Sequence, residues 1–165
     1  MPIDKDIYSI HAVRLVNFHN INHVTIPVNE GGHLFLLGDN GSGKTTVLDA
    51  IHYVLSAGKL ELNSAARMGG NKNFGRRING VITAYNMELG AHRFPDGRIT
   101  YAAIELHNQA GIVISLGVGL SVANAGAPLQ QWGFRSNVSV AELPLLLVDN
   151  EGKEYPPDRD EFKKS

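Results

Sequence analysis

The feature that most constrains this chain is a glycine-rich octapeptide that lies between two apolar segments of different periodicity. Residues 38–45 read Gly-Asp-Asn-Gly-Ser-Gly-Lys-Thr and match G-x-x-x-x-G-K-[ST] at every fixed position. Residues 34–37, all leucine or phenylalanine, precede it and predict a strand buried on both faces. After Lys44, apolar residues recur at helical spacing, and Gly58 follows where a helix end commonly has a positive φ. This order of strand, loop and helix predicts a phosphate-binding P-loop.

The residue types of the loop explain how it would hold phosphates. Glycines let the backbone curl until successive N–H groups point at phosphate oxygens, and the following helix N terminus adds about half a positive charge. We expect Lys44 to bind between the β- and γ-phosphates and the Thr45 hydroxyl to ligate Mg²⁺, so the predicted ligand is ATP with Mg²⁺. The residues assigned to nucleotide binding are Gly38, Asp39, Asn40, Gly41, Ser42, Gly43, Lys44, Thr45 and Thr46.

Composition narrows the class of protein. The chain has 165 residues, of which 43% are hydrophobic and 19% are charged, which predicts one globular domain over residues 1–165 and not a disordered segment. It contains no cysteine, which excludes disulfides and thiolate zinc sites. The formal net charge is −1, so a contact with nucleic acid must come from a local basic patch. No apolar run reaches the ~18 residues of a membrane span, and we expect a cytoplasmic protein.

The remaining segments predict a β-rich periphery around the P-loop. Residues 7–18 and 24–28 indicate an antiparallel strand pair, and Pro27 places the second strand at a sheet edge because proline cannot donate to a ladder. Residues 101–122 predict a β-hairpin, and residues 143–148 predict a further strand. We therefore expect a three-layer α/β P-loop NTPase with a mixed sheet and an antiparallel β side lobe.

A glycine-rich basic connection spans residues 57–80 and has little periodicity, so we expect it to be exposed and flexible. It carries Arg67, Lys72, Arg76 and Arg77. These cations could form a solvated loop, or they could contact DNA phosphates with a marked salt dependence. Arg76 or Arg77 could instead contact ATP, and the sequence leaves these alternatives open.

Other candidate sites are weaker than the P-loop. Asp149 follows an apolar run as a Walker B aspartate does, but residues 149–152 also form a favourable β-turn, which is the preferred interpretation. Gln130 or Gln131 could act as a Q-loop glutamine, although a surface polar pair is the simpler expectation. A dinucleotide-binding fingerprint is disfavoured because Thr46 stands where its third glycine belongs.

Several segments carry a resemblance to a known group of ATPases. Phe-His-Asn-Ile at 18–21, the P-loop, and Leu-Asp-Ala-Ile at 48–51 resemble the N-terminal head segment of the SMC, Rad50 and RecF group. Three later segments resemble most closely the SMC-like subunit of MukB-type condensins, in particular the JetC family of the Wadjet plasmid-defence system. These are Arg-Arg-Ile-Asn-Gly at 76–80, Leu-Gly-Val-Gly-Leu at 116–120 and Trp-Gly-Phe at 132–134.

The resemblance implies a P-loop fold of the ATP-binding-cassette type, of which this chain forms the N-terminal half of an ATPase head. In that group a C-terminal half, joined through a long coiled coil, supplies Walker B, the signature motif and the catalytic glutamate. The chain alone is therefore expected to hydrolyse no ATP. The implied partners are that C-terminal half, a second copy of the head that sandwiches ATP, kleisin-type and accessory condensin subunits, and double-stranded DNA in the nucleoid.

The implied function couples ATP-driven head engagement and hydrolysis to DNA loading or loop extrusion, in plasmid defence or chromosome maintenance. A DNA-repair head of the Rad50 or RecF type is an alternative. A stand-alone P-loop NTPase would need its own Mg²⁺-binding acid and an arginine-bearing lid within these residues. A nucleotide-gated docking module without turnover is a further, non-enzymatic possibility.

Overall fold

The computed structural model describes residues 7–28, 33–59, 62, 77–86 and 88–165. In chain order its elements are β1 (Tyr8–Phe18), β2 (Ile21–Pro27), α1 (Lys44–Leu55), α2 (Ile78–Ile82), β3 (Tyr85–Asn86), β4 (Ala91–His92), β5 (Arg98–Asn108), β6 (Val113–Val122), β7 (Gln130–Ser136), β8 (Leu147–Val148), β9 (Glu154–Tyr155) and α3 (Arg159–Phe162). A five-stranded antiparallel sheet with the order β2-β1-β5-β6-β7 forms the centre. Across the described ranges, no helix is long and apolar enough to cross a membrane.

The first hairpin places a proline-containing strand at one edge of the sheet. β1 and β2 pair antiparallel with Phe18 opposite Ile21, and His19 in the connection has a left-handed φ of 54°. Among the described residues β2 pairs only with β1, and its Pro27 lacks the N–H that an inner strand would donate. The predicted strand pair and its edge position are confirmed, although β2 begins at residue 21 and not at residue 24.

The second hairpin supplies the inner strands of the sheet. β5 and β6 pair antiparallel along nearly their whole length. Asn108 closes the turn between them, because its Oδ1 atom accepts hydrogen bonds from the N–H groups of Ala110 (3.0 Å) and Ile112 (2.9 Å). The hairpin predicted over residues 101–122 is confirmed, and its first strand starts earlier, at residue 98.

The central sheet buries side chains on both faces, because successive residues of a strand point to opposite sides. α1 and α2 pack on one face, whereas the segment after β7 and α3 cover the other. The first core includes Leu15, Phe18, Val47, Val54, Ile104 and Leu120, and the second includes Val16, Tyr101, Trp132, Val140, Leu143 and Leu145. α1, which begins inside the P-loop, is thus held against the sheet by its own apolar stripe.

Two buried charges fasten the segment after β7 to the sheet. Arg14 on β1 and Glu105 on β5 are each 8% exposed. Nη1 of Arg14 donates to three carbonyl oxygens of residues 140–143 at distances of 2.8 to 3.2 Å. Oε2 of Glu105 accepts hydrogen bonds from the hydroxyl of Ser139 (2.6 Å) and from the N–H of Val140 (2.9 Å). The backbone of this segment is therefore paired with side chains of the sheet.

Two of the predicted strands are wrong for the described residues. Residues 34–37 pair with no strand, and Phe35 and Leu37 are 81% and 91% exposed because no described segment flanks them. Of residues 143–148, only β8 is a strand, since Arg14 binds the carbonyl group of Leu143, which a ladder would use. All strand pairs within the described ranges are antiparallel, so the predicted mixed sheet is also wrong for this part of the chain.

Candidate nucleotide-binding site

The P-loop backbone requires glycine at several of its positions. Gly38, Gly41 and Gly43 have φ values of 148°, 86° and 97°, a region that residues with a side chain rarely adopt. A Cβ atom built on Gly38 would lie 2.7 Å from the Oγ atom of Ser42, whereas one built on Gly41 would meet no atom within 4 Å. The loop therefore curls tightly while leaving open space at Gly41, which suits a cradle for a phosphate group.

The N terminus of α1 is electrostatically suited to an anion. Gly43 is its N-cap residue and offers no side chain to cap the first turn, which also contains no acidic residue. The first helical hydrogen bond runs from the N–H of Val47 to the carbonyl of Gly43 (3.1 Å). The N–H groups before Val47 have no intrahelical acceptor, and the helix dipole places partial positive charge on them. This end of the helix thus presents several donors to a phosphate group.

Lys44 folds back over the loop from which it projects. Its Nζ atom donates hydrogen bonds to the carbonyl oxygens of Gly38 (2.5 Å) and Asp39 (2.7 Å), and it lies 3.4 Å from the Oγ atom of Ser42. These contacts hold the ammonium beside the glycine backbone. They also show that the lysine reaches the mouth of the loop, where the charge of a phosphate would attract it.

The two threonines that follow Lys44 differ in burial. Thr45 is half-buried, which leaves its hydroxyl accessible to a metal ion. Thr46 is only 3% exposed and belongs to the face of α1 that packs toward the sheet. Any contribution of Thr46 to phosphate binding must therefore come from its backbone N–H, and the predicted role of the Thr45 hydroxyl toward Mg²⁺ stays a prediction.

The basic connection contributes one described residue to the predicted sites. Arg76 lies outside the described residues, as do Arg67 and Lys72. Arg77 is exposed and is the N-cap residue of α2, with an extended φ of −70°. The roles proposed for Arg76 and Arg77 toward ATP or DNA remain predictions.

Gln131 lies at the end of α1 that is far from the P-loop. Its Oε1 atom accepts a hydrogen bond from the hydroxyl of Tyr53 (2.6 Å), and its Nε2 atom donates to the carbonyl of Ala57 (3.3 Å). Eight helical residues separate Thr45 from Tyr53, which corresponds to about 12 Å along the axis. Gln131 therefore connects α1 to β7 and does not face the loop, and burial raises the pKa of its partner Tyr53. A pair separated by 78 residues leaves no local signal in the sequence.

The structure supports the turn interpretation of Asp149. Its Oδ1 atom accepts hydrogen bonds from the N–H groups of Glu151 (2.9 Å) and Lys153 (2.9 Å), and the N–H of Gly152 donates to its carbonyl (3.0 Å). These contacts are typical of an aspartate that organises a tight turn. In the part of the chain that the structure describes, no group of three or more His, Asp or Glu side chains is arranged to hold a metal ion.

Comparisons with known proteins place the P-loop in a family context. The family profile described as the P-loop containing region of AAA domain (AAA_29) matches residues 10–69. DNA replication and repair protein RecF of Glaesserella parasuis serovar 5 (strain SH0165) is 34% identical over 139 residues, which cover 84% of this chain and 31% of that protein. RecF of Brucella abortus (strain 2308) is 44% identical over 54 residues, which cover 33% of this chain and 14% of that protein.

RecF of Pseudoalteromonas atlantica (strain T6c / ATCC BAA-1087) is also 44% identical, over 45 residues that cover 27% of this chain and 12% of that protein. The chain therefore spans less than a third of the length of these relatives. The matches support a P-loop ATPase segment of the SMC and RecF type, in agreement with the broader resemblance found in the sequence. These matches do not show the more specific resemblance to MukB-type condensins.

Proposed function

We propose that this chain is the ATP-binding lobe of an SMC/RecF-type ATPase that acts on DNA. The observation that carries the proposal is the geometry of Lys44 at the start of α1. Its ammonium lies beside the glycine backbone at 2.5 Å from the carbonyl of Gly38, next to a helix N terminus without a side-chain cap. This arrangement provides a cation and fixed N–H donors at one place, which is the combination that a triphosphate requires.

Different residues of the chain would bind different parts of MgATP. The N–H groups of the loop and of the first turn of α1 hold phosphate oxygens, and Lys44 exchanges its loop carbonyl partners for the β- and γ-phosphates. The Thr45 hydroxyl would supply one oxygen ligand to Mg²⁺. When bound, Mg²⁺ neutralises charge on the triphosphate and polarises the γ-phosphoryl group.

The chain is proposed to require a second lobe for ATP hydrolysis. Phe35 and Leu37 are largely exposed in the segment that leads into the P-loop, although their sequence is typical of a buried strand. Asp149, the one candidate for a Walker B residue, is engaged in its own turn. Both observations support a C-terminal half that flanks residues 34–37 and supplies Walker B, the signature motif and the catalytic glutamate. A stand-alone NTPase is less well supported for the same reasons.

In its finer form, the proposal follows the resemblance to MukB-type condensins and the JetC family. Two ATP-bound heads would engage, and hydrolysis would separate them to load DNA or extrude loops, in plasmid defence or chromosome maintenance. The proposed partners are a second head, kleisin-type and accessory subunits, and double-stranded DNA in the nucleoid. Arg77 and its neighbour Arg76 are proposed contacts to ATP or DNA phosphates.

A RecF-type repair ATPase is the second candidate, and the match of 34% identity over 139 residues favours it. The two candidates differ in the phenotype of a strain that lacks the whole protein. A repair function predicts sensitivity to DNA damage with normal plasmid maintenance. A condensin-type function predicts altered plasmid or chromosome maintenance with normal survival of damage.

Calorimetry of MgATP binding tests the proposed lobe directly. The chain would be measured alone and with the C-terminal half supplied, each with Lys44→Ala and with Lys59→Ala, which removes an exposed charge beyond the other end of α1. We expect binding that depends on Lys44 and strengthens with the added half, with turnover only in the completed head. Robust turnover by the chain alone that Lys44→Ala abolishes would instead identify a self-sufficient NTPase.

A further inference from the structure

We propose that Arg98 is a positioning residue for the nucleotide site, because it holds the turn between β1 and β2 against the start of α1. Arg98 is the first residue of β5 and lies far from the P-loop in the sequence. The inference rests on the proposed function, since it assigns a role in nucleotide binding to a residue outside the loop. Arg98 acts through the backbone of His19 and the side chain of Ile21, and it needs no contact with ATP.

The guanidinium of Arg98 joins two separate segments. Its Nε atom donates a hydrogen bond to the carbonyl oxygen of Ile82 at the end of α2 (2.5 Å), and its Nη2 atom donates to the carbonyl oxygen of His19 in the turn. Its Cζ atom lies 4.0 Å from the centroid of the Phe94 ring, an arrangement that is favourable for a cation. One side chain therefore ties the β1–β2 turn to α2.

Arg98 occupies a position that disfavours a cation. Burial and the positive charge of Arg93 lower the pKa of Arg98 to about 10. Within the ranges that the structure describes, no salt bridge to a carboxylate offsets this cost. The charge is instead stabilised by the carbonyl groups of Ile82 and His19 and by the Phe94 ring. A planar cation with several fixed donors can reach these groups at the same time.

The turn that Arg98 holds has an unfavourable backbone conformation. Asn17 and His19 both have a left-handed φ of 54°, which residues with a side chain adopt at a cost. Two further hydrogen bonds from this region fix Asn17, whose Nδ2 atom donates to the carbonyl of Ile99 (3.0 Å) and whose carbonyl accepts from the hydroxyl of Thr100 (3.0 Å). Strain of this kind persists only where surrounding contacts enforce it. The start of β5 therefore determines the position of the turn.

Ile21 connects the turn to the P-loop. It follows the turn directly and lies opposite Phe18 in the hairpin. A Cβ atom built on Gly43 would lie 3.7 Å from the Cδ1 atom of Ile21, so this side chain packs beside the N-cap residue of α1. Ile21 also packs against the core that contains Val47 of α1. A shift of the turn would therefore alter the support of Gly43 and, with it, the N–H donors of the first helical turn.

A spectroscopic measurement on the nucleotide-free chain tests the first step. Arg98→Met keeps an unbranched side chain and removes all of the donors. The matched control is Arg14→Met, because Arg14 is also a buried arginine that donates to backbone carbonyls, on the opposite face of the sheet. We expect the amide resonance of Gly43 to shift in Arg98→Met and to keep its position in Arg14→Met. This readout does not depend on ATP.

Calorimetry of MgATP binding tests the second step. The dissociation constant is expected to rise about three- to tenfold in Arg98→Met, the range typical of residues that act on a site without touching its ligand, and to stay unchanged in Arg14→Met. Arg98→Lys, which keeps a cationic donor, is expected to recover part of the lost affinity. Thr100→Val removes a different hydrogen bond to the same turn with little change of shape, and it should shift Gly43 and weaken binding in the same direction. Thr100→Val therefore decides the question even if Arg98→Met does not fold.

The two readouts separate this inference from the proposed function. Absence of Lys44-dependent MgATP binding in the unsubstituted chain would contradict the proposed function, and the resonance of Gly43 would still report whether Arg98 positions the helix start. Lys44-dependent binding, together with the same Gly43 resonance and the same affinity in Arg98→Met, Thr100→Val and Arg14→Met, would overturn the role of Arg98 and leave the proposed function intact.

Discussion

The Nζ atom of Lys44 lies 2.5 Å from the carbonyl oxygen of Gly38, six residues earlier in the chain, so the lysine closes the loop that precedes it. A second hydrogen bond, to the carbonyl of Asp39 at 2.7 Å, reinforces this closure. A triphosphate must therefore compete with two carbonyl acceptors for the ammonium. A phosphate oxygen carries negative charge, whereas a carbonyl oxygen is neutral, so the ammonium gains a Coulombic attraction to a full charge when it exchanges one acceptor for the other. The exchange is consequently favourable.

Replacement of Lys44 by arginine is expected to weaken MgATP binding nearly as much as replacement by alanine. The guanidinium is planar and larger than the compact ammonium that fits beside Gly38 and Asp39. Loss of a charge-assisted hydrogen bond costs about 1.5–3 kcal/mol, which predicts a dissociation constant raised about 10- to 100-fold for Lys44→Ala. Calorimetry of both variants checks this expectation. Full binding by Lys44→Arg would show that charge alone suffices.

Gly43→Ala is expected to affect both stability and nucleotide binding. Its φ of 97° costs a residue with a side chain about 1–2 kcal/mol, and strain at this N-cap residue would shift the donors of α1. The matched control is Gly111→Ala, with a φ of 78° and no atom within 4 Å of the added Cβ. We expect similar losses of unfolding free energy in both variants, and weaker MgATP binding only in Gly43→Ala. Equal affinity of the Gly43→Ala and Gly111→Ala variants for MgATP would show that Gly43 does not contribute to phosphate binding.

Glu105 is expected to make folding stability depend on pH in the acid range. Burial by itself would raise the pKa of Glu105, but hydrogen bonds from Ser139, the Val140 N–H and His107 outweigh burial and lower it. A lowered pKa contributes stability above the unfolded value of about 4.5, and that stability is lost as pH falls through the folded value. The pH range in which Glu105 makes folding stability depend on pH therefore lies below about pH 4.5.

Glu105→Gln tests this pH dependence of stability, and Glu88→Gln, at an exposed position, is the control variant. At neutral pH, Glu105→Gln is expected to lower the free energy of unfolding by about 1–3 kcal/mol, because three donors lose a charged acceptor. The deficit should narrow below about pH 4.5, where the native carboxylate itself becomes protonated. Urea unfolding between acid and neutral pH measures both effects. A deficit that stays constant across this range would contradict the assigned role of the charge.

Arg14 and Glu105 are expected to act as a coupled pair, although they bind different backbone groups. Arg14 holds carbonyl oxygens of residues 140–143, and Glu105 holds the N–H of Val140. Burial lowers the pKa of Arg14, and the charge of Glu154 acts in the opposite sense. Arg14→Met is expected to cost about 2–4 kcal/mol by leaving carbonyl groups unpaired. A double-mutant cycle with Glu105→Gln should give a coupling energy above about 0.5 kcal/mol, and strict additivity would show that the two charges act independently.

Local signals in the sequence predicted the local parts of this fold. The P-loop glycines, the start of α1 at Lys44 and the hairpin over residues 101–122 each depend on φ preferences, turn chemistry and spacing within a few residues. The same information could not show that Tyr53 meets Gln131, since their contact joins positions 78 residues apart. Contacts of this kind depend on the arrangement of the whole sheet.

The two wrong strands have a common physical origin, because an apolar run becomes a strand only where a neighbouring backbone can pair with it. Residues 34–37 find no neighbour among the described residues, which leaves Phe35 and Leu37 exposed. Residues 143–146 are apolar and two of them are well buried, but Arg14 binds the carbonyl of Leu143. Hydrophobicity predicted burial correctly in the second case, but it did not predict the hydrogen-bonding partner.

The glycines of the paired strands β6 and β7 differ in the space that surrounds them. Gly119→Ala would place a Cβ atom 2.2 Å from the ring of Trp132, whereas among the described residues Gly133→Ala meets only a carbonyl at 3.9 Å. Overpacking typically costs about 1–3 kcal/mol, which is the loss of stability expected for Gly119→Ala. Gly133→Ala should instead be neutral or stabilise the isolated chain by about 0.5–1 kcal/mol, since alanine loses less conformational entropy. Trp132 is the only tryptophan of the chain, so its fluorescence during urea unfolding reports on this region directly. Equal destabilisation by the two substitutions would mean that the fold itself requires glycine at position 133.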